Sequence, residues 1–109
     1  MFRRIRVQGH SMLPTLKEGD VLWSNRLVYR FRAPRKGEIV VVDHPDRPLR
    51  MIKRIVGVPG DVMSGRQLGP AEYFVAGDNV RQNTGSEAFG PVSRQAIVGL
   101  VRRKTRRAA

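Results

Sequence analysis

The sequence predicts a mostly β fold with little helix, arranged as one small antiparallel or mixed β-domain. Helical periodicity is weak along the whole chain, whereas short runs rich in Val, Ile and aromatic residues recur between clusters of Gly, Pro, Asp and Asn. Runs and turn signals at this spacing are typical of small all-β domains whose loops carry the function. We expect five strands, at Val21–Leu27, Glu38–Asp43, Met51–Val58, Tyr73–Ala76 and Ala96–Val101.

Turn residues delimit the first four of these strands. The turns that precede or follow them are Lys17–Asp20, Pro34–Gly37, Pro59–Asp61 and Gly77–Asn79. Within the second strand, Val40–Val42 is a continuous apolar run, which predicts a strand covered on both faces. The stretches expected to be loops are Pro45–Arg50, Ser64–Ala71 and Gln82–Pro91.

The length of 109 residues favours a single domain. We place this domain at residues 1–101 and a basic C-terminal tail at residues 102–109. The chain has no cysteine, so disulfides, thiolate metal sites and cysteine nucleophiles are excluded. Its two histidines lack further clustered ligands, and we expect neither a metal nor another cofactor.

The chain is strongly basic, with 21 Lys and Arg against 9 acidic residues and a net charge of +12. This excess favours anionic partners, and we expect peripheral contact with an anionic membrane. Nucleic acid is not expected, because stacking aromatic residues are not interleaved with the basic ones. The sequence has no run of 18 apolar residues and no cleavable signal peptide. We therefore expect a cytoplasmic or peripheral-membrane protein.

Ser11 is the candidate nucleophile. A hydroxyl nucleophile needs a constrained turn beside main-chain N–H groups that can bind an oxyanion. Gly9 permits unusual backbone angles, Pro14 stiffens the exit from the turn, and Met12 can anchor it. Serines near a glycine are common in ordinary turns, so this segment alone leaves a structural role for Ser11 open.

Lys53 is the candidate general base. Strand alternation places Met51, Lys53 and Ile55 on one face, so the lysine has apolar neighbours. Burial disfavours an ammonium group, which lowers its pKa, and a neutral amine can accept the proton of a serine hydroxyl. The alternative is an edge-strand lysine whose amine reaches solvent.

The histidines offer a Ser–His–Asp triad as a weaker alternative. His10 is adjacent to Ser11 in sequence, which gives poor geometry for proton transfer. His44 lies at a strand end beside Asp43 and Asp46, where a loop role is favoured. A histidine-based mechanism is therefore the weaker interpretation of these residues.

Three blocks, in this order, resemble the type I signal peptidase family of Ser/Lys endopeptidases. They are Gly9–Leu16 with Gly19–Asp20, Met51–Asp61, and Gly77–Val92 with Ile97–Gly99. The resemblance implies a β fold of the signal-peptidase type, with Ser11 as nucleophile and Lys53 as general base. It implies that the backbone N–H of Ser11 forms part of the oxyanion hole. It also implies a precursor protein as partner and substrate, from which an N-terminal leader is cut after small residues.

The resemblance further implies that Gly77, Asp78 and Asn79 are active-site scaffold, in a tight turn that Gly77 makes possible. Some positions depart from the family pattern. The serine that often completes the oxyanion hole is Gly9 here. The family's last block usually reads Ser-x-Asp-Ser-Arg, and the corresponding residues are Asn83, Gly85, Ser86 and Glu87.

We expect two of these departures, Asn83 and Glu87, to replace contacts that the usual family residues would form. We expect Glu87 to reach Arg54 and tie the last loop to the strand of Lys53. We expect Asn83 to orient the lysine through its carbonyl oxygen. The alternative hydroxyl partners of the lysine are Thr84 and Ser86.

Among relatives, the short form without an anchor is most similar to the nickel-type superoxide dismutase maturation proteases. The similarity is in Phe89–Val92 and in the His44-Pro45 loop, and it implies removal of a short N-terminal extension from the dismutase precursor. A self-cleaving Ser/Lys repressor would need a DNA-binding helical domain, for which the chain has no room. The alternative function is a non-catalytic signal-peptidase-like module that binds protein or anionic surfaces, which the departures at Asn83, Gly85 and Glu87 favour.

Overall fold

The computed structural model describes residues 2–82 and 84–103, and most of its regular structure is β. The strands are β1 (Phe2–Arg6), β2 (Val21–Asn25), β3 (Ile39–Asp43), β4 (Arg50–Gly57), β5 (Val62–Met63), β6 (Arg66–Gln67), β7 (Glu72–Ala76), β8 (Val92–Ser93) and β9 (Ile97–Arg103). The helical segments are α1 (Val28–Phe31), α2 (Ser86–Phe89) and a 3₁₀ turn at Arg94–Ala96. The prediction of a mostly β fold with little helix is confirmed. None of the helices in these ranges is long and apolar enough to cross a bilayer.

Across the described residues, seven strands form one sheet in the order β1-β2-β9-β3-β4-β7-β8, and β5 pairs with β6. Every strand pair is antiparallel. The register shifts between Val41 and Val42 and between Ile55 and Gly57. Such irregularities bend a strand and increase its twist, so the sheet curls around its core.

The five predicted strands correspond to β2, β3, β4, β7 and β9. β1 was not predicted, because a segment with three arginines in five residues has no strand signal of its own. Its extended conformation comes from pairing with β2. β6 and α2 lie in stretches expected to be loops. β9 runs two residues past the expected strand end at Val101, and residues 104–109 of the predicted tail lie outside the described residues.

Two hydrophobic clusters lie on opposite faces of β3. Val40 and Val42 belong to one cluster, and Val41, whose side chain points the other way, belongs to the second. All three side chains are buried, as the continuous apolar run predicts. The second cluster contains Met12 and Leu16, so it anchors the loop that carries Ser11.

Candidate active site

The Ser11 loop, between β1 and β2, is held by its own apolar side chains. Met12 is 2% exposed and Leu16 is 1% exposed, and the Leu16 N–H donates to the Met12 carbonyl at 2.9 Å. Gly9 has a φ of +80°, a left-handed conformation that strains any residue with a Cβ. This backbone angle accounts for the glycine at position 9, where the family often has a serine. Pro14 follows Leu13 through a cis peptide bond.

Lys53 is buried in the middle of β4, with 2% of its surface exposed. It pairs with Val40 of β3 and lies on the strand face of Met51 and Ile55, as alternation predicts. Burial lowers the pKa of Lys53 below its ordinary value. Its Nζ donates a hydrogen bond of 2.6 Å to Thr84 Oγ1. Lys53 is therefore not the solvent-reaching lysine of the alternative interpretation.

Ser11 and Lys53 line the same cleft, of about 500 Å³. One wall is the segment Arg6–Met12 and the other is Leu49–Lys53, with Gln82 and Thr84 also lining the space. In the part of the chain that the structure describes, no hydrogen bond joins Ser11 Oγ to Lys53 Nζ, and the described partner of Nζ is Thr84 Oγ1. A catalytic contact that is loose without substrate can tighten when the substrate binds.

The cleft wall formed by β4 has a free edge. β4 pairs with β3 along residues 50–54, but its described pairing with β7 begins only at Arg54. Residues 50–53 therefore have no described strand partner on their second side. The unpaired N–H and C=O groups of such an edge can pair with an extended peptide.

The turn at Gly77–Asn79 packs directly against the backbone of Ser11. A Cβ on Gly77 would lie 2.5 Å from the Ser11 carbonyl oxygen. Asn79 donates through its backbone N–H to that oxygen and through Nδ2 to the His10 carbonyl, both at 2.8 Å. Gly77 is outside the left-handed region, so the close approach, and not a special turn angle, requires glycine here.

Asp78 connects the Ser11 loop to the strand of Lys53. Its Oδ2 accepts a hydrogen bond of 2.6 Å from Thr15 Oγ1, and its two oxygens accept from Arg54 at 2.9 and 2.7 Å. The hydrogen bonds from Arg54 hold the pKa of Asp78 below its usual range. Because Arg54 follows Lys53 in β4, this bidentate pair ties the two halves of the cleft together.

The predicted ion pair between Glu87 and Arg54 is wrong. The guanidinium donates through Nε and Nη2 to Asp78 and through Nη1 to the Gly37 carbonyl. Glu87 is exposed in the first turn of α2 and forms no described ion pair with Arg54. One feature of the sequence pointed to the correct partner of Arg54: Asp78 is a carboxylate in a matched block, and no ion-pair partner was expected for it.

The last loop supplies one of the two alternative hydroxyls to the lysine. Thr84 bonds to Nζ, whereas Ser86 is 2% exposed and its Oγ accepts the Val75 N–H at 2.9 Å. Ser86 therefore anchors α2 to β7. A Cβ on Gly85 would lie 2.5 Å from the Val75 carbonyl oxygen, so glycine lets this loop close on the sheet. Asn83, expected to orient the lysine, lies outside the described residues.

Neither histidine forms a hydrogen bond with Ser11 in the described structure. His10 lies 3.7 Å from Glu18, and both side chains are exposed. His44 accepts a hydrogen bond from the Asp46 N–H at 2.9 Å, and its ring packs on Phe89. The geometry of a Ser–His–Asp triad is therefore not present.

The chain matches a family model and several known proteins. A family model described as "Signal peptidase, peptidase S26" matches residues 1–67, which include both Ser11 and Lys53. The chain is 38% identical to the mitochondrial ATP-independent inner membrane protease subunit 1a of Arabidopsis thaliana, with 85% of this chain and 64% of the relative covered. It is 33% identical to the mitochondrial inner membrane protease subunit 1 of Xenopus tropicalis, with 85% and 62% covered.

A bacterial relative, signal peptidase I V of Bacillus subtilis, is 29% identical, with 91% of this chain and 62% of the relative covered. The chain thus spans a little under two thirds of the length of these relatives. The matched residues 1–67 make up more than half of the 109 residues. The chain therefore belongs to the signal peptidase family, peptidase S26.

Proposed function

We propose that this chain is a serine endopeptidase in which Ser11 is the nucleophile and Lys53 the general base. The observation that carries the proposal is the position of Lys53, which is buried in the cleft that Ser11 lines and whose pKa is lowered by that burial. A lysine is a useful base only when its amine is neutral near the working pH. Burial without a described counter-charge shifts the pKa of Lys53 in this direction.

In the proposed reaction, neutral Lys53 accepts the hydroxyl proton of Ser11 while Oγ attacks the peptide carbonyl. The lysine then returns the proton to the leaving amine, and an acyl-enzyme remains on Ser11. Water, deprotonated by the same amine, releases the acid product. The backbone N–H of Ser11 donates to no described backbone acceptor, so it is available to the oxyanion.

The proposed substrate is a precursor protein whose N-terminal leader is cut after small residues. The names of the relatives, which are signal peptidases and inner membrane proteases, support a substrate of this class. The free edge of β4 supports an extended substrate segment, because that edge can pair with a strand beside the dyad.

A nickel-type superoxide dismutase precursor is the specific substrate that we propose. The similarity to maturation proteases of that class is in Phe89–Val92 and in the His44-Pro45 loop. The rings of His44 and Phe89 pack together with centroids 4.6 Å apart, so these two segments are neighbours in the fold. Their contact supports treating them as one feature.

The test is incubation of the protein with leader-bearing precursors, including a nickel superoxide dismutase precursor, followed by mass spectrometry of the products. We expect one cut after a small residue, abolished by Ser11→Ala and by Lys53→Met with the circular dichroism spectrum unchanged. Ser93→Ala and Lys36→Met are matched controls that lie outside the cleft and should retain activity. Full activity of Lys53→Met would refute the dyad. Absence of cleavage with every precursor would favour the non-catalytic binding module.

We also propose that one face of the sheet contacts an anionic membrane surface. Trp23, which is 38% exposed, pairs with Arg4 on one side and with Arg102 on the other, so the three side chains form a row across β1, β2 and β9. Phe2 is 64% exposed and lies on the same face of β1 as Arg4. Aromatic rings with flanking cations suit the headgroup region of an anionic bilayer.

Trp23 is the sole tryptophan in the sequence, so its fluorescence reports directly on this contact. We expect a blue shift with phosphatidylglycerol-containing vesicles and none with pure phosphatidylcholine. The double change Arg4→Gln and Arg102→Gln should weaken binding, whereas Arg81→Gln, an exposed control outside this row, should not. Equal shifts with both vesicle types, or none with either, would contradict the proposal.

A further inference from the structure

The cleft that contains the dyad carries positive charge that the proposed reaction does not use. Besides Lys53, the ionisable side chains that line it are Arg6, His10 and Arg50, and no Asp or Glu is among the described lining residues. Arg6 is the last residue of β1, on one wall of the cleft, and Arg50 is the first residue of β4, on the other wall. A substrate segment that enters the cleft therefore passes between two arginines on opposite walls.

Arg50 is held in position at this site. Its Nε donates a hydrogen bond of 2.8 Å to Asp43, the residue with which it pairs across β3 and β4. This contact is also an ion pair, so Asp43 offsets part of the Arg50 charge. The terminal guanidinium nitrogens donate no described hydrogen bond, and they can therefore still donate to a substrate carboxylate. Arg6 forms no ion pair with a described carboxylate, so its charge is not neutralised locally.

We propose that Arg6 and Arg50 select substrates with an acidic side chain close to the cut. This inference rests on the proposed function, because it assumes that the substrate strand pairs with the free edge at residues 50–53. Residues in a strand are spaced about 3.3 Å apart, so Arg50 lies roughly 10 Å along β4 from Lys53. The selected carboxylate then lies about three positions from the bond that is cut.

The size of the preference follows from the exposure of the arginines. Arg6 is exposed, and the side chain of Arg50 is 50% exposed, so solvent screens both. An exposed ion pair changes an equilibrium constant by up to roughly fivefold. The preference should weaken in high salt, because ions screen exposed charges at these distances.

The experiment uses peptides that span the leader junction of the precursor, with a single Asp or Asn at each position from four before to four after that junction. We expect kcat/KM for Asp over Asn to rise about fivefold at a position near the third from the cut. That ratio should approach one in Arg6→Gln with Arg50→Gln, and it should be kept in Arg30→Gln, an exposed control outside the cleft. Arg6→Glu combined with Arg50→Glu should reverse the preference and favour Lys at the same position.

Binding of the same peptides to the Ser11→Ala protein, measured by fluorescence anisotropy, separates this inference from the proposed function. An Asp preference in binding without cleavage by the unmodified protein would support the cationic cleft and refute the peptidase. Cleavage with equal rates for Asp and Asn at every position would overturn the inference and leave the peptidase standing. An Asp preference that survives in the double arginine variant would also overturn it.

Discussion

The hydrogen bond from Lys53 to Thr84 makes a sharp test of how the base is positioned. Thr84→Val replaces the hydroxyl by a methyl group of similar size and leaves Nζ, in a residue 2% exposed, without its described partner. A hydrogen bond to a charged group contributes about 1.5–3 kcal/mol. Loss of that amount from the transition state corresponds to a decrease of roughly 10- to 100-fold in kcat/KM.

The pH dependence gives a second readout with a definite sign. Burial lowers the pKa of Lys53, and the Thr84 oxygen, as an acceptor, favours the charged amine. Removing the acceptor disfavours the charged form further, so the pKa should fall. The rising limb of the pH–kcat/KM profile should therefore move to lower pH in Thr84→Val, although the plateau is lower.

The assay is the pH profile of peptide cleavage by the unmodified protein, Thr84→Val and Thr84→Ser. The serine variant keeps the oxygen and should retain most of the activity and the original limb. A purely structural role of Thr84 would lower stability without moving the limb. An unchanged profile in Thr84→Val, or equal impairment of Thr84→Ser, would refute the positioning role.

Four other outcomes are expected. Gly77→Ala should place a methyl group 2.5 Å from the Ser11 carbonyl oxygen, so it should displace the loop, reduce the free energy of unfolding by about 2–4 kcal/mol in urea titrations and abolish cleavage. Asp78→Asn should weaken the link to Arg54 and Thr15 and cost about 1–3 kcal/mol at neutral pH. Folding lowers the pKa of Asp78, so the ionised carboxylate contributes its full stabilisation above the ordinary pKa of 3.8. This stabilisation is lost as the pH falls through the lower pKa of the folded protein. The difference in the free energy of unfolding between the unmodified protein and Asp78→Asn should therefore shrink in acid. Between the lowered pKa of Lys53 in the folded protein and its ordinary value of 10.5, the lysine is protonated only in the unfolded chain, so the free energy of unfolding rises with pH. Lys53→Met should remove this part of the pH dependence. Glu87→Gln, at an exposed position without the predicted ion pair, should change the free energy of unfolding by less than about 0.5 kcal/mol.

The strands that carry the site could be predicted because their signals are local. The apolar run Val40–Val42 and the alternation around Lys53 report burial by themselves, since successive side chains in a strand point to opposite faces. The structure has these strands as β3 and β4, with Val40 directly opposite Lys53. By contrast, β1 has no such signal, because its extended conformation comes from pairing with β2.

The contacts inside the site were less predictable, since they join residues far apart in the chain. Counting along the last block led to Asn83 as the lysine's partner, whereas the described partner is Thr84, one residue later. The same counting assigned Arg54 to Glu87, whereas the arginine bonds to Asp78. A loop that closes on the sheet through Gly85 changes which side chain faces the cleft, and spacing alone does not contain that information.

The sequence by itself determined the fold class, the family and the two candidate catalytic residues, because strand periodicity and the order of the matched blocks depend only on the order of residues in the chain. Only the tertiary structure decided how those residues are supported. It showed that Gly77 is required for close approach to Ser11, that Asp78 ties the Ser11 loop to β4, and that Thr84 holds the lysine. These contacts join segments far apart in the chain, such as Thr15 and Asp78, which are 63 residues apart, and they exist only when the curled sheet brings both walls of the cleft together.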